Sequence, residues 1–401
     1  MLLITIGALI LITISSFAIF DRDIFAPPTI VCLGLLFGAL CAYYNEANWE
    51  LDFSANTLWI VLAALASFML GGIFAFTLHN IRHLDHASFG YMVSNAEPIE
   101  IEKVKTLLAV AFQFFAIVLL FVSMRRMTGG SSWNSIVSFY RQQVAKMDPD
   151  EITARIPTIV KQIVSFSFFI SILYSYVVGN NLAVHYKQPA INWIPIPIGL
   201  IASFMQGYRS DMIRLWVVIL VVTYTLRKRA MGWKSGNDSR VMLRRMAFSV
   251  IGVGILFVAL RSIVGRDASK DPLSYLTFYA GCPFAALDIF LKKPVSRPDI
   301  WGKETFYYLN QGFGILLRRT DLRYNFFKEF TRSPNGTYIG NVYTALRPPY
   351  KDFGLGGMCV YMVVMGLFYT YLYCKVRKKS GRNRIDFLLL LYSYFALLPA
   401  H

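Results

Sequence analysis

The chain has 401 residues, is 56% hydrophobic and only 16% charged, and has a mean hydropathy of +0.48. This excludes an ordinary soluble domain, in which apolar residues recur at periods of two or 3.6 among more charge. The excess of 40 Lys and Arg over 23 Asp and Glu gives a formal charge of +17; in a membrane protein basic cytoplasmic loops account for such an excess, so no nucleic-acid partner is expected.

The apolar residues fall in blocks long enough to cross a bilayer, which takes about 20 residues at 1.5 Å rise each. The first, 1–20, has no basic leading region and no small-residue cleavage site before Asp21, so it is expected to remain as a span. Further blocks follow at 26–44, 57–78, 107–124, 158–178, 190–207, 211–226, 246–264, 353–374 and 386–401. They predict an all-α, polytopic transmembrane helical bundle of about ten or more spans, with 1–401 as a single integral membrane domain. Block 190–207 contains Pro195 and Pro197, so its helix is expected to be broken, which is tolerated at membrane depth only where protein or water satisfies the freed backbone. The last block stops at His401, short for a span, and the chain is expected to continue past it. Cys32, Cys41, Cys359 and Cys374 lie in apolar blocks and Cys282 in a loop, with no spacing that suggests disulfides or zinc. His79, His83 and His86 with Asp85 share a helical face, but in a loop read as cytoplasmic, so no metal is expected.

Two loops fix orientation. Segment 227–245 holds seven Lys/Arg against one Asp, and 375–384 holds six and no acid, so both are expected in the cytoplasm. The segment between them, 265–352, is then a large extracytoplasmic loop. The acidic loop 45–56 reads as external, Arg22 as internal and the N-terminus as outside, while Arg209 falls at the outer end of block 211–226. The side of 125–157 depends on whether 190–207 crosses fully.

Segment 265–352 carries 13 Lys/Arg, eight Asp/Glu and no histidine, the reverse of what an outer loop should have. Within 303–331, Phe306, Tyr307, Tyr308, Phe313, Tyr324, Phe326, Phe327 and Phe330 interleave with Arg318, Arg319, Arg323 and Lys328. That pattern suits an amphipathic helix in the headgroup layer, either as an aromatic belt with snorkelling basics or as a platform for sugar and phosphate. Residues Gly340–Gly357 read GNVYTALRPPYKDFGLGG. Pro348 and Pro349 rigidify the turn and set Arg347 and the Tyr350-Lys351-Asp352 group at the membrane edge. Arg347 and Asp352 could equally be an interfacial ion pair.

NVYTALRPPYKDFGLGG closely resembles the signature of bacterial oligosaccharide repeat-unit polymerases, the Wzy-type O-antigen and capsule polymerases. TFYAGCPFAALDIFL (277–291) with GKETF (302–306), and QGYRSDMIRLWVVIL (206–220), resemble the same family. The resemblance implies glycosyl transfer between two undecaprenyl-diphosphate-linked oligosaccharides at the outer face of the bacterial inner membrane, with a flippase and a chain-length regulator as partners and membrane lipid as surroundings. The lipid diphosphate is the leaving group, so no cofactor is expected, and neither a P-loop nor a dinucleotide fingerprint is present. The catalytic candidates are Arg347, for the diphosphate, and Asp352, as base or as the group orienting Arg347. Substrate-binding candidates are Arg209, Arg266, Tyr343 and Lys351, with Arg261 weaker because it could merely snorkel. The absence of histidine from the outer loop departs from O-antigen ligases. A lipid-linked oligosaccharide flippase and a non-catalytic scaffold are the competing classes.

Overall fold

A computed structural model describes residues 1–84, 97–129, 132–144, 156–208, 210–231, 237–259, 271–324, 326 and 328–378. Arg209, Arg261, Arg266, Asp85, His86 and block 386–401 lie outside the described residues. Among the described residues the protein is 76% helical with almost no sheet. The helices in chain order are α1 (Leu2–Ile19), α2 (Pro27–Tyr44), α3 (Glu46–Trp49), α4 (Ala55–Leu84), α5 (Lys103–Thr128), α6 (Trp133–Val144), α7 (Thr158–Ala183), α8 (Pro195–Met205), α9 (Ser210–Ala230), α10 (Asn237–Ala259), α11 (Pro272–Leu291), α12 (Tyr307–Leu316) and α13 (Arg347–Lys378). Strands β1 (Thr331–Arg332) and β2 (Tyr338–Gly340) form one short antiparallel hairpin.

Among the described residues seven helices are long and apolar enough to cross a membrane: α1, α2, α4, α5, α7, α11 and α13. Six coincide with predicted blocks. The seventh, α11, lies inside the segment read as one outer loop, so the stretch between spans there is 292–346. Its glycine, proline and Asp288 hold its mean hydropathy to 1.3, against 2.5 for α1, which hid it. Helix α9 is flanked by Asp211 and Arg214 at one end and by Arg227, Lys228 and Arg229 at the other, too charged to join the seven.

The chain folds as two compact units, Met1–Gly90 with Asp271–His401, and Tyr91–Lys270. The sequence carries no composition break at either junction. In the first unit, α4 and α13 touch through glycines. A Cβ on Gly71 would sit 2.0 Å from the Val363 carbonyl oxygen, and one on Gly366 would sit 2.0 Å from that of Phe68. Small residues on facing helices allow such backbone approach, which packs apolar helices where no hydrophobic drive exists between them. Helix α11 meets α2 in the same way, with Gly281 against the Cys41–Ala42 backbone.

Polar contacts pin the ends of this unit. The buried Asp288 of α11 accepts from the Ser54 amide (2.9 Å) and the Thr57 hydroxyl (2.7 Å), and pairs with Lys292 at 2.9 Å. It thereby supplies an anion to the N-terminus of α4. The Asn335 side-chain amide donates to the Asn48 carbonyl at 2.6 Å. At the opposite end Arg377 pairs with Asp21 at 2.7 Å, and the Tyr373 hydroxyl donates to Asp23. Loop 45–54 and segment 292–346 therefore share one end, while the basic tail of α13 shares the other with Asp21–Asp23. The core runs from Leu9, Leu65 and Phe68 up to Ile339, Tyr343 and Leu346, so the connecting segment is packed onto the helices.

In the second unit the proline-broken stretch is a 3-10 turn (Ala190–Trp193) leading into the short α8. The carbonyl of Pro195 accepts from the Gln113 side-chain amide (3.0 Å) and from the Ser171 hydroxyl (2.8 Å). Protein groups thus satisfy backbone that the break exposes. Asp211 accepts from Ser203 at 2.7 Å and pairs with Arg214 at 2.9 Å.

Candidate functional site around Arg347

Helix α13 opens Arg347-Pro348-Pro349. Proline suits a first helical turn, where its missing N–H has no intrahelical partner to lose. The helix breaks at Gly354 (φ +71°), a conformation glycine adopts without steric cost. The turn before that break therefore presents its side chains as a separate short helix. Residues four apart on a helix share a face, and residues five apart differ by roughly 140°. Arg347 and Lys351 accordingly point together, and Asp352 points elsewhere.

Arg347 is 0% exposed. Its guanidinium lies 3.9 Å from the centre of the Tyr343 ring and 4.9 Å from that of Phe290, a cation held against two aromatic rings. Its acidic partner is Glu304, also buried, with one carboxylate oxygen 3.4 Å from Arg347 and 2.8 Å from Lys351. Glu329, 64% exposed, approaches the same two cations at 3.9 and 3.7 Å. The Tyr343 hydroxyl donates to the Glu329 carbonyl (3.0 Å) and accepts from Thr331 (2.6 Å), which holds the ring under the guanidinium. Burial pushes the Lys328 ammonium below the usual lysine range, helped by Arg347 and opposed by Glu304. Burial pushes the Tyr343 hydroxyl up.

The ion-pair alternative for Arg347 and Asp352 does not hold. The Asp352 carboxylate accepts from the backbone amides of Glu304 (3.0 Å) and Thr305 (2.7 Å), and it is not the ion-pair partner of Arg347. Its task in the structure is to hold the chain at 304–305 so that the Glu304 side chain reaches Arg347. Of the candidates read from sequence, Tyr343, Arg347 and Lys351 converge, Asp352 fixes the neighbouring backbone, and Arg209 and Arg266 lie outside the described residues. Glu304, Glu329 and Phe290 were not singled out. Glu304 stood in GKETF, and nothing local connects it with a residue 43 positions later.

Several polar atoms here are buried and, among the described residues, without a hydrogen-bond partner: Nε and Nη1 of Arg347, Oε2 of Glu304, and the hydroxyls of Thr305 and Thr344. A buried unpaired polar atom costs roughly 1–3 kcal/mol, more when charged, so a group of them on one charged cluster marks a place suited to a polar ligand. The two free arginine donors suit oxyanions, and the free carboxylate oxygen suits a hydroxyl donor. Among the described residues no group of three or more His, Cys, Asp or Glu is placed to hold a metal ion.

Beside this cluster, α12 turns Tyr308 (86% exposed), Leu309, Phe313, Ile315 and Leu316 (76% exposed) outward, and the exposed Arg318, Arg319 and Arg323 follow it. Trp301, also exposed, stacks on Phe306 with ring centres 5.1 Å apart. No family model, no curated protein and no solved structure matches the chain.

Proposed function

We propose that this protein is a membrane glycosyltransferase that joins undecaprenyl-diphosphate-linked oligosaccharide repeat units into O-antigen, capsular or another surface polysaccharide at the outer face of the bacterial inner membrane. The observation that carries the reading is the buried Arg347 with two unpaired donors, set beside Lys351 and a buried carboxylate with one oxygen free. Two further observations support it. Tyr343, Arg347 and Lys351 of the polymerase-like stretch 341–357 belong to this cluster, and 292–346 shares an end with the acidic loop 45–54, away from the basic tail of α13.

In this reading a hydroxyl of the acceptor repeat attacks the anomeric carbon of the growing chain. The new C–O bond forms as the bond to the lipid diphosphate breaks, and the bonding pair leaves with the diphosphate. Arg347 and Lys351 stabilise the charge that develops there. Oε2 of Glu304 receives the hydroxyl proton, the general-base role first read onto Asp352. Lys351 and Arg347, both on its other oxygen, hold the Glu304 side chain in place.

The test is made in cells carrying the gene in place of its deletion. Arg347→Ala should leave the protein in the membrane while the surface shows single repeats and no long polymer. Unchanged polymer would overturn the assignment of Arg347. A deletion that removes the repeat itself along with the polymer would favour the flippase class.

A further inference from the structure

A cavity of about 310 Å³ lies between α9 and α10 in the second unit, within the range of about 300–1,000 Å³ usual for small-ligand pockets. Its walls are apolar: Trp216, Ile219 and Leu220 face it from α9, and Met246 from α10. Arg227 and Arg245 also line it. Arg227 lies 11 residues beyond Trp216, about 16 Å along the helix at 1.5 Å per residue, so the charge sits towards one end of the apolar wall.

The two arginines are poorly supplied by the protein. One Arg227 nitrogen donates to the Leu182 carbonyl at 3.0 Å, while its Nε is buried without a partner. Among the described residues no carboxylate pairs with Arg227 or Arg245. The stretch 227–245, which includes the end of α9 and the start of α10, holds seven Lys/Arg, Arg227 and Arg245 among them, against one Asp. A pair of arginines lining an apolar groove between helices suits an anion with a hydrocarbon tail.

We infer that this cleft is a binding site for an anionic phospholipid, its phosphate between Arg227 and Arg245 and an acyl chain along Trp216, Ile219, Leu220 and Met246. Inorganic phosphate would leave the apolar wall uncovered. A zwitterionic lipid would bring a cation of its own to a place that already holds two. The guanidiniums are donors in fixed geometry and suit a phosphodiester.

The test is native mass spectrometry of the full chain, released from detergent after addition of equal amounts of phosphatidylglycerol and phosphatidylcholine. The phosphatidylglycerol adduct should exceed the other at least fivefold and should persist in millimolar inorganic phosphate. Arg245→Gln, at an exposed position, and Met246→Trp, which fills the cleft and leaves its charge intact, should each reduce that adduct at least fivefold. Equal adducts of the two lipids, displacement by phosphate, or an unchanged adduct in both variants would overturn the site.

Discussion

Lys351 and Arg347, one helical turn apart at the start of α13, converge on the same oxygen of Glu304 at 2.8 and 3.4 Å. Two cations on one buried carboxylate oxygen leave the other oxygen and two arginine donors uncommitted. The cluster is thus charged, enclosed and incompletely satisfied, and its behaviour on mutation follows from that.

Removing one partner of a buried pair strands the other charge, which costs about 3–5 kcal/mol. Arg347→Ala should therefore lower stability by that order, because Glu304 stays buried beside Lys351 alone. Glu304→Gln should cost less, since it keeps the shape and one acceptor. Thermal unfolding in detergent measures both, and a melting temperature unchanged from wild type in either variant would contradict a buried pair.

Asp352 is expected to behave as a scaffold. Asp352→Asn keeps an acceptor oxygen for the amides of Glu304 and Thr305 and should retain much of the polymer length. Asp352→Ala frees both amides and should lose it. If Asn is as damaging as Ala, Asp352 carries a proton in the reaction after all.

Gly71 and Gly366 set how closely α4 and α13 approach. Gly366→Leu would drive a side chain into the Phe68 backbone and should destabilise by at least the roughly 1–3 kcal/mol typical of overpacking. Gly7→Leu, where a side chain meets open space, is the control and should be close to neutral. Similar melting temperatures for both variants would refute the contact.

Lys328 gives a pH signature. Burial holds its folded pKa below the ordinary 10.5, so the unfolded chain binds more protons between the two values. Stability contributed at this site should accordingly rise with pH across that window. Lys328→Gln should remove the rise. The difference between the two melting curves against pH isolates it, and a falling difference would show the sign to be wrong.

The outward side chains of α12 should lie in the headgroup layer, as a helix with an apolar face and basic flanks does. Spin labels at Ile315 and Leu316 in vesicles should meet oxygen more readily than a water-soluble nickel chelate. The opposite ratio would place α12 in water.

Much of this was legible from residues. Hydropathy located six of the seven long apolar helices, because their blocks are unbroken. It missed α11, where Gly281, Pro283 and Asp288 dilute the signal even though glycine serves the packing on α2. The stretch 341–357 supplied Tyr343, Arg347, Lys351 and Asp352 because they stand within ten positions. It could not supply Glu304, which a carboxylate–amide contact brings in from 48 residues away. The alternative of a plain Arg347–Asp352 ion pair is not what forms, since a separation of five residues turns the two to different faces.

Under the proposed function the Glu304–Arg347–Lys351 cluster performs glycosyl transfer from a lipid diphosphate. The direct measurement is product length from the purified protein in vesicles supplied with undecaprenyl-diphosphate-linked repeat units, for wild type and Glu304→Gln. Wild type should give a ladder of polymers, with Glu304→Gln reduced at least 100-fold in rate, as loss of a general base typically costs about 10²–10⁴. A wild-type ladder matched by Glu304→Gln, or no polymer from the wild type, would contradict it.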